Sequence, residues 1–331
     1  MIADRGGPAG TVDRADSVPT GREAAPTAPG AVHRPPAGDG VLLVVALAAV
    51  STSGPLIAAT AVPALAIAFW RNAMASGVLV PVALARCRGE LRALSRREWT
   101  LALAAGTLLA LHFATWIPSL TYTSVASATA LGATQPVWAG LVARARGQQV
   151  PRLAWVGIAV AVAGAITLTG VDLSVSRRAL AGDGLALIGG MFAAGYMVAG
   201  GEVRRTVSTT TYTALCYATT SVLLLIACLV GHQSLGGYSA QSWLKLVALT
   251  VGAQLLGHSL FNVVLRTTSA TVVSLSILFE VPGAALIAAV FLHQRPPMAA
   301  LPAAALLVAG VALVIRAGPG RAQPAVVPGI E

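Results

Sequence analysis

The tetrapeptide Ala-Gly-Asp-Gly at residues 37–40 occurs again at residues 181–184, an offset of 144 positions. Farther along each half, matching residues follow in the same order at an offset of 146. These matches are His112 with His258, Pro136 with Pro282, Gln148 with Gln294, Pro151 with Pro297, and the Val-Ala-Gly triplets at 162–164 and 308–310. An offset this stable indicates an internal duplication.

The composition excludes an ordinary soluble domain. Of the 331 residues, 56% are hydrophobic and 10% are charged, whereas soluble domains carry about 25% charged residues. The apolar residues form blocks of about 20, the length that crosses a bilayer as a helix. The net charge of +10 does not indicate nucleic-acid binding, because the basic residues lie between the apolar blocks without interleaved aromatic residues.

The apolar blocks predict an all-α polytopic membrane protein. Spans are expected at roughly 41–60, 64–85, 99–118, 124–143 and 153–171, and then at roughly 183–201, 211–231, 242–264, 270–292 and 298–316. Because each half has an odd number of spans, the second half enters the membrane from the opposite side. We therefore expect ten transmembrane helices arranged as two inverted five-helix repeats.

The segments around the spans complete the predicted domain organisation. It comprises a disordered cytoplasmic tail at 1–40, a first repeat at 41–171, a linker at 172–182, a second repeat at 183–316 and a flexible C-terminal tail at 317–331. Seventeen of the 22 basic residues fall on the side of the N-terminus, four fall on the other side, and Arg71 lies within a span. This bias predicts that both termini are cytoplasmic.

Glu280 and Arg71 are charged residues predicted well inside spans, in the ninth and the second span. An acidic residue at the centre of a membrane helix costs about 2.5 to 3.5 kcal/mol, so Glu280 is expected to face the bundle interior or water and to have a partner. It either titrates or binds a solute, or it is held in place for packing. Arg71 lies at a compatible depth and is its natural partner; it either binds a carboxylate or extends toward the interface.

Prolines occupy matching positions in the fourth and ninth predicted spans. Pro136 follows Gln135, and Pro282 lies two residues after Glu280. Matching interruptions in two halves point to a binding site near the bilayer centre, although packing kinks would look the same. The stretch at 51–55, Ser-Thr-Ser-Gly-Pro, either breaks the first span in the same way or marks its end.

A polar and aromatic stripe is predicted in the third and eighth spans. Trp116 follows His112 by four residues, and Asn262 follows His258 by four. Gln254 precedes His258 by four. Residues four apart share a helix face. The stripe either lines a cavity for an amphipathic solute or makes hydrogen bonds between helices.

The sequence contains no pattern that indicates enzymatic chemistry. It has no phosphate-binding GxxxxGK[ST], no GxSxG and no HExxH. Its three cysteines show no metal-ligand spacing. We therefore expect no enzyme activity, no metal site and no cofactor.

Several stretches resemble the EamA-type branch of the drug/metabolite transporter superfamily. These are PALAIAFWR at 63–71, the run from Tyr122 through Pro136, GDGLALIGGMFAAGYMVAG at 182–200 and LFEVPGAALIAAVFLHQRP at 278–296. The resemblance covers roughly 41–316 and implies ten spans in two inverted repeats. Family members often carry a glutamate soon after the fourth and ninth spans, where this chain has Gln148 and Gln294.

The resemblance implies a secondary-active transporter of the inner membrane that moves a small-molecule solute by alternating access. It favours export over import, and the implied solutes are amino acids, related metabolites or toxic molecules. Protons are candidate coupling ions, and the lipid bilayer is the surrounding partner. The alternatives are an uncoupled facilitator or importer of the same fold, and a non-transporting membrane sensor or scaffold. Monomer and homodimer are both compatible with the sequence.

Overall fold

The computed structural model of the chain describes residues 37–147, 149–257, 260–261, 264 and 276–317. Both predicted tails lie outside these residues, apart from their inner edges at 37–40 and 317. His258 and Asn262, two of the predicted site residues, also lie outside them.

The described residues form helices and contain no strand. The helices are α1 (Ala37–Ser51), α2 (Ser53–Ala58), α3 (Ala64–Arg86), α4 (Arg88–Ala93), α5 (Arg96–Ser119), α6 (Val125–Gly132), α7 (Gln135–Ala145), α8 (Arg152–Val175), α9 (Arg177–Val203), α10 (Thr209–Val230), α11 (Ala240–Ala248), α12 (Glu280–Phe291) and α13 (Ala300–Ala317). A π-helical segment, Leu249–Gly257, continues directly from α11.

Among the described residues, six helical segments are long and apolar enough to cross a membrane. They are the combined α1 and α2 (Gly38–Ala58), and helices α3, α5, α9, α10 and α13. Shorter apolar helices occupy Arg152–Leu168 within α8, and α12. These helices confirm the all-α fold that the apolar blocks predict.

Some predicted spans consist of two helical pieces in the structure. The first is interrupted at Thr52, between α1 and α2, and the fourth at Ala133 and Thr134, between α6 and α7. The eighth changes from α-helix to π-helix at Leu249. Hydropathy cannot show these changes, because an interrupted apolar helix has the same composition as a continuous one.

Glycines allow the longest helix pairs to approach closely. Helix α8 packs along α13, and α5 packs along α9. At Gly157 of α8, a Cβ atom would lie 2.7 Å from the carbonyl oxygen of Gly310 in α13, so only glycine fits there. In a membrane, where lipid is as apolar as leucine, close van der Waals contact of this kind is a main source of helix association.

Polar side chains join α4 and α5 to the end of α9 and the start of α10. Glu90 accepts hydrogen bonds from the backbone nitrogen and the hydroxyl of Ser208, both at 2.6 Å, and from the hydroxyl of Thr211. Arg97 forms an ion pair with Glu202 at 2.8 Å. Burial opposes ionisation of Glu90, but the hydrogen bonds outweigh it and hold the pKa of this carboxyl below its usual range.

Aromatic residues pack near the opposite end of α3. The ring centroids of Trp70 and Trp243 are 4.9 Å apart, and those of Trp243 and Tyr238 are 5.4 Å apart. The Trp70 indole donates to the carbonyl oxygen of Leu235 at 3.0 Å. These contacts attach the segment between α10 and α11 to the part of α3 that carries Arg71.

Candidate functional site

The helical structure breaks into a turn at equivalent positions of the sequence repeat. The turn at Ala133 and Thr134 separates α6 from α7, and the turn at Leu278 and Phe279 precedes α12. Ala133 and Phe279 are 146 positions apart, which is the repeat offset. Breaks therefore precede both proline-bearing helices, α7 and α12, at matching positions.

The two prolines lie just after these breaks. Pro136 lies in the first turn of α7, which begins at Gln135. Pro282 is the third residue of α12. Since the first N–H groups of a helix have no intrahelical acceptor, proline removes no helical hydrogen bond at such positions. The prolines therefore begin new helices after each break.

Glu280 is the first residue of α12 and is partly buried. The sequence predicts it near the middle of a span, and the structure places it immediately after the break. A negative charge is favoured at this position by the free N–H groups and the dipole of the helix start. Helix α12 packs against α1, α2 and α6, and Gly283 lies against the side chain of Ser51, where α1 ends.

Arg71 is a buried cation in the first third of α3, and its side chain is 3% exposed. Its Nε donates to the side-chain oxygen of Gln254 at 2.7 Å. The guanidinium carbon lies 4.5 Å from the centre of the Phe113 ring, a cation–π contact. Among the described residues, Nη1 of Arg71 is buried and has no hydrogen-bond partner.

Gln254 connects Arg71 to Asn72. Its amide nitrogen donates to the side-chain oxygen of Asn72 at 3.3 Å, and Asn72 in turn donates to the backbone carbonyl of Ala68 at 2.8 Å. Gln254 belongs to the π-helical segment. Such segments shift the direction of their side chains by one residue and occur frequently at functional sites.

Arg71 and Glu280 interact electrostatically without touching. Each charge acts on the other through space. Within the described part of the chain, however, ion pairs within 4.0 Å join only Arg97 and Arg205 to Glu202. The two predicted partners thus share one electrostatic environment, and neither neutralises the other by direct contact.

His112 and Trp116 form a second group on α5, next to Phe113, whose ring centroid lies 4.9 Å from that of His112. The Nδ1 of His112 lies 2.9 Å from the carbonyl oxygen of Gly189 in α9, and because a carbonyl only accepts, this nitrogen carries the proton. Trp116 stacks on His112 with ring centroids 5.8 Å apart and donates to the carbonyl oxygen of Ala128 at 3.1 Å. The two hydrogen bonds join α5 to α9 and to α6.

The structure therefore brings some of the predicted residues together and separates others. Arg71 and Gln254 are in direct contact, Glu280 shares their electrostatic environment, and Gln135, Pro136 and Pro282 follow the helix breaks. His112 and Trp116 point to the interface of α5 with α6 and α9.

Three contributors to the Arg71 environment were missed by sequence reasoning. Asn72 is fully buried, Phe113 covers the guanidinium, and Tyr217 lies near Arg71. Asn72 could have been noticed as a polar residue beside an intramembrane arginine. Phe113 and Tyr217 carried no usable signal, because aromatic residues in apolar helices are common.

Sequence reasoning also passed over Asp183. It is fully buried in α9, and it belongs to the repeated Ala-Gly-Asp-Gly tetrapeptide, which could have drawn attention to it. In the ranges that the structure describes, no group of three histidine, cysteine, aspartate or glutamate residues could hold a metal ion.

Comparison with known proteins agrees with this architecture. One solved structure, described as "Crystal structure of protein", aligns over 84% of this chain and 96% of its own, with a TM-score of 0.59 and 19% identity, a likeness that concerns the fold. The search of curated proteins found no match. The model of the EamA-like transporter family matches twice, at residues 38–170 and 180–316. With its several membrane-length apolar helices, this chain is a multi-pass membrane protein that belongs to the EamA-like transporter family, as its sequence resemblance indicates.

Proposed function

We propose that the chain is a secondary-active transporter with ten spans, formed by inverted five-helix repeats at 41–171 and 183–316 that are joined by a linker at 172–182. The helix contacts support this arrangement. Helix α3 packs against α10, α8 against α13, α5 against α9 and α1 against the π-helical segment. A two-fold axis between the repeats exchanges each helix with its equivalent in the other repeat. Under this exchange the α3–α10 pair and the α8–α13 pair each map onto themselves. The α5–α9 pair maps onto the pair of α1 and the π-helical segment.

The proposed transport direction is export across the inner membrane, with both termini in the cytoplasm. The solute is an amino acid, a related metabolite or a small toxic molecule. Glu280 takes up and releases the coupling proton, and Arg71 binds the solute or balances the charge of Glu280. Gln135, Pro136 and Pro282 form the helix breaks beside the solute path, and Gln254 positions Arg71. His112, Trp116, His258 and Asn262 remain proposed cavity residues.

The buried Arg71 carries this proposal. A guanidinium that is 3% exposed within a membrane helix is costly, and intramembrane charges of this kind mark solute or ion pathways. Its neighbourhood includes Glu280 at a break that has a counterpart in the other repeat. Discontinuous helices at equivalent positions occur at the central binding sites of many secondary transporters.

Solute efflux from proteoliposomes tests the proposal. The vesicles contain the full chain and a panel of radiolabelled amino acids and cationic drugs, and flux is measured with and without an imposed pH gradient. Flux of one solute that depends on the gradient and disappears with an uncoupler supports proton-coupled export. Flux that ignores the uncoupler instead identifies a facilitator. Protein-free vesicles provide the background, and equal flux in both preparations for every solute contradicts a transport function.

A further inference from the structure

The guanidinium of Arg71 has more N–H donors than its described neighbours use. Gln254 accepts from Nε at 2.7 Å, whereas buried Nη1 has no hydrogen-bond partner among the described residues. Phe113 covers the face of the guanidinium. Because the N–H bonds point outward in the guanidinium plane, the ring cannot take the place of an in-plane acceptor.

The direct partners of Arg71 are also uncharged. Gln254 is an amide, and its second contact is the amide of Asn72 at 3.3 Å. The titratable groups near Arg71 are Tyr217 and Glu280, and Glu280 makes no ion pair with it within 4.0 Å. A buried cation with neutral contacts favours an incoming anion, because a contacting negative charge offsets the cost of its desolvation.

We infer that the transported solute carries a carboxylate and that Nη1 of Arg71 receives it, while Gln254 positions the guanidinium through Nε. This inference rests on the proposed transport function and names the chemical class of its solute. A carboxylate is planar and accepts N–H bonds along one edge of a guanidinium. A cationic group would place a second positive charge beside Arg71, and a neutral amide would leave the charge without a counter-ion.

Thermal unfolding of the full chain in nanodiscs tests the inference. The probes are acetate, pyruvate, succinate, benzoate and phenylalanine, each compared with its own amide, and sodium chloride at equal ionic strength is the reference. We expect at least one acid to raise the Tm by about 2 to 4 °C more than its amide, as saturating ligands do for proteins of this size. Arg71→Gln should abolish this difference.

Arg178→Gln is the matched control. Arg178 also lies over an aromatic ring, 4.9 Å from the centre of Tyr122, but it is exposed. The acid-specific rise should persist in this variant. If no acid exceeds its amide, or if the rise survives Arg71→Gln, the inference is overturned. A rise that chloride reproduces assigns Arg71 to an inorganic anion and overturns the carboxylate assignment.

Gln254→Glu provides a second variant in case Arg71→Gln does not fold. It places a carboxylate on Nε and supplies the missing negative charge, so the protein should fold while the acid-specific rise disappears. Persistence of the rise in this variant overturns the inference. The inference and the proposed function can be contradicted separately. Flux of solutes that lack a carboxylate, with no acid-specific binding, overturns this inference alone. Acid-specific binding without flux of any solute contradicts the proposed function.

Discussion

Arg71 and Gln254 are 183 positions apart in the chain and are joined by a buried hydrogen bond of 2.7 Å. The bond connects α3 of the first repeat to the π-helical segment of the second. It gives an intramembrane cation a neutral anchor, which fixes the position of the guanidinium without cancelling its charge. The inferred binding of a carboxylate by Arg71 uses both features, a fixed guanidinium and an uncancelled charge.

Gln254→Leu should destabilise the protein. The substitution removes the acceptor of Nε and leaves a buried charged donor unsatisfied, which costs more than the roughly 1 to 3 kcal/mol of a neutral group. Thermal unfolding in nanodiscs measures the loss. Gln241→Leu is the control, because Gln241 is exposed on α11 and its replacement should have little effect. Equal stability of the two variants would show that the Arg71–Gln254 bond contributes nothing.

Glu280→Gln should abolish flux that depends on the pH gradient and leave the fold intact. The amide keeps the size of the side chain and cannot exchange a proton. The measurement is gradient-driven efflux from proteoliposomes, with the Tm recorded in parallel. Glu202→Gln, which changes an acid at the end of α9, should retain flux. Unchanged flux in Glu280→Gln would rule out the proton role, and a large fall in Tm would assign Glu280 to stability.

Gly310→Ala should loosen the contact between α8 and α13. A Cβ at this position would overlap the backbone of Ala161 and approach the carbonyl oxygen of Gly157 to 2.7 Å. Overpacking of this kind costs about 1 to 3 kcal/mol. Gly77→Ala in α3 is the matched control, because its Cβ would meet nothing within 4 Å. The expected order of Tm values is therefore Gly310→Ala below the wild type, and Gly77→Ala equal to it or above it.

Glu90 should make stability depend on pH in the acidic range. Since its folded pKa is depressed, its contribution is present above the unfolded value of about 4.3 and is lost as the pH falls through the lower folded value. Unfolding measured between pH 7 and pH 3 should show a constant advantage of the wild type over Glu90→Gln near neutrality, and a shrinking advantage below about pH 4. A gap that widens on acidification would contradict the assignment.

Cys87 offers a test of orientation. It follows α3 and is partly exposed, whereas Cys216 and Cys228 are buried. If the termini are cytoplasmic, a membrane-impermeant maleimide should label Cys87 in inside-out vesicles and leave it unlabelled in intact cells. Cys87→Ser removes the signal and serves as the control. Labelling in intact cells would reverse the proposed topology.

Features that depend on one segment of the chain could be predicted from its sequence. The repeat, the apolar blocks and the matching prolines were readable from the sequence, because each depends on residue type and spacing along one segment. The family model likewise matches the chain twice, at 38–170 and 180–316. Glu280 and Arg71 were recognisable because a charge inside an apolar block is anomalous wherever the block packs.

The neighbours of these charges were decided by the tertiary structure alone. His112 and Phe113 are adjacent in sequence, yet α5 directs His112 to Gly189 and Phe113 to Arg71. Successive residues on a helix point in directions about 100° apart, so a sequence shows which side chains share a face but not which neighbour that face meets. The sequence by itself determined the membrane class, the duplication and the charged residues. The packing of α3, α5 and the π-helical segment decided that Arg71 has a neutral anchor, an aromatic cover and no contacting counter-ion in the described structure. Only the tertiary structure could decide this, because contacts between distant segments depend on how whole helices pack.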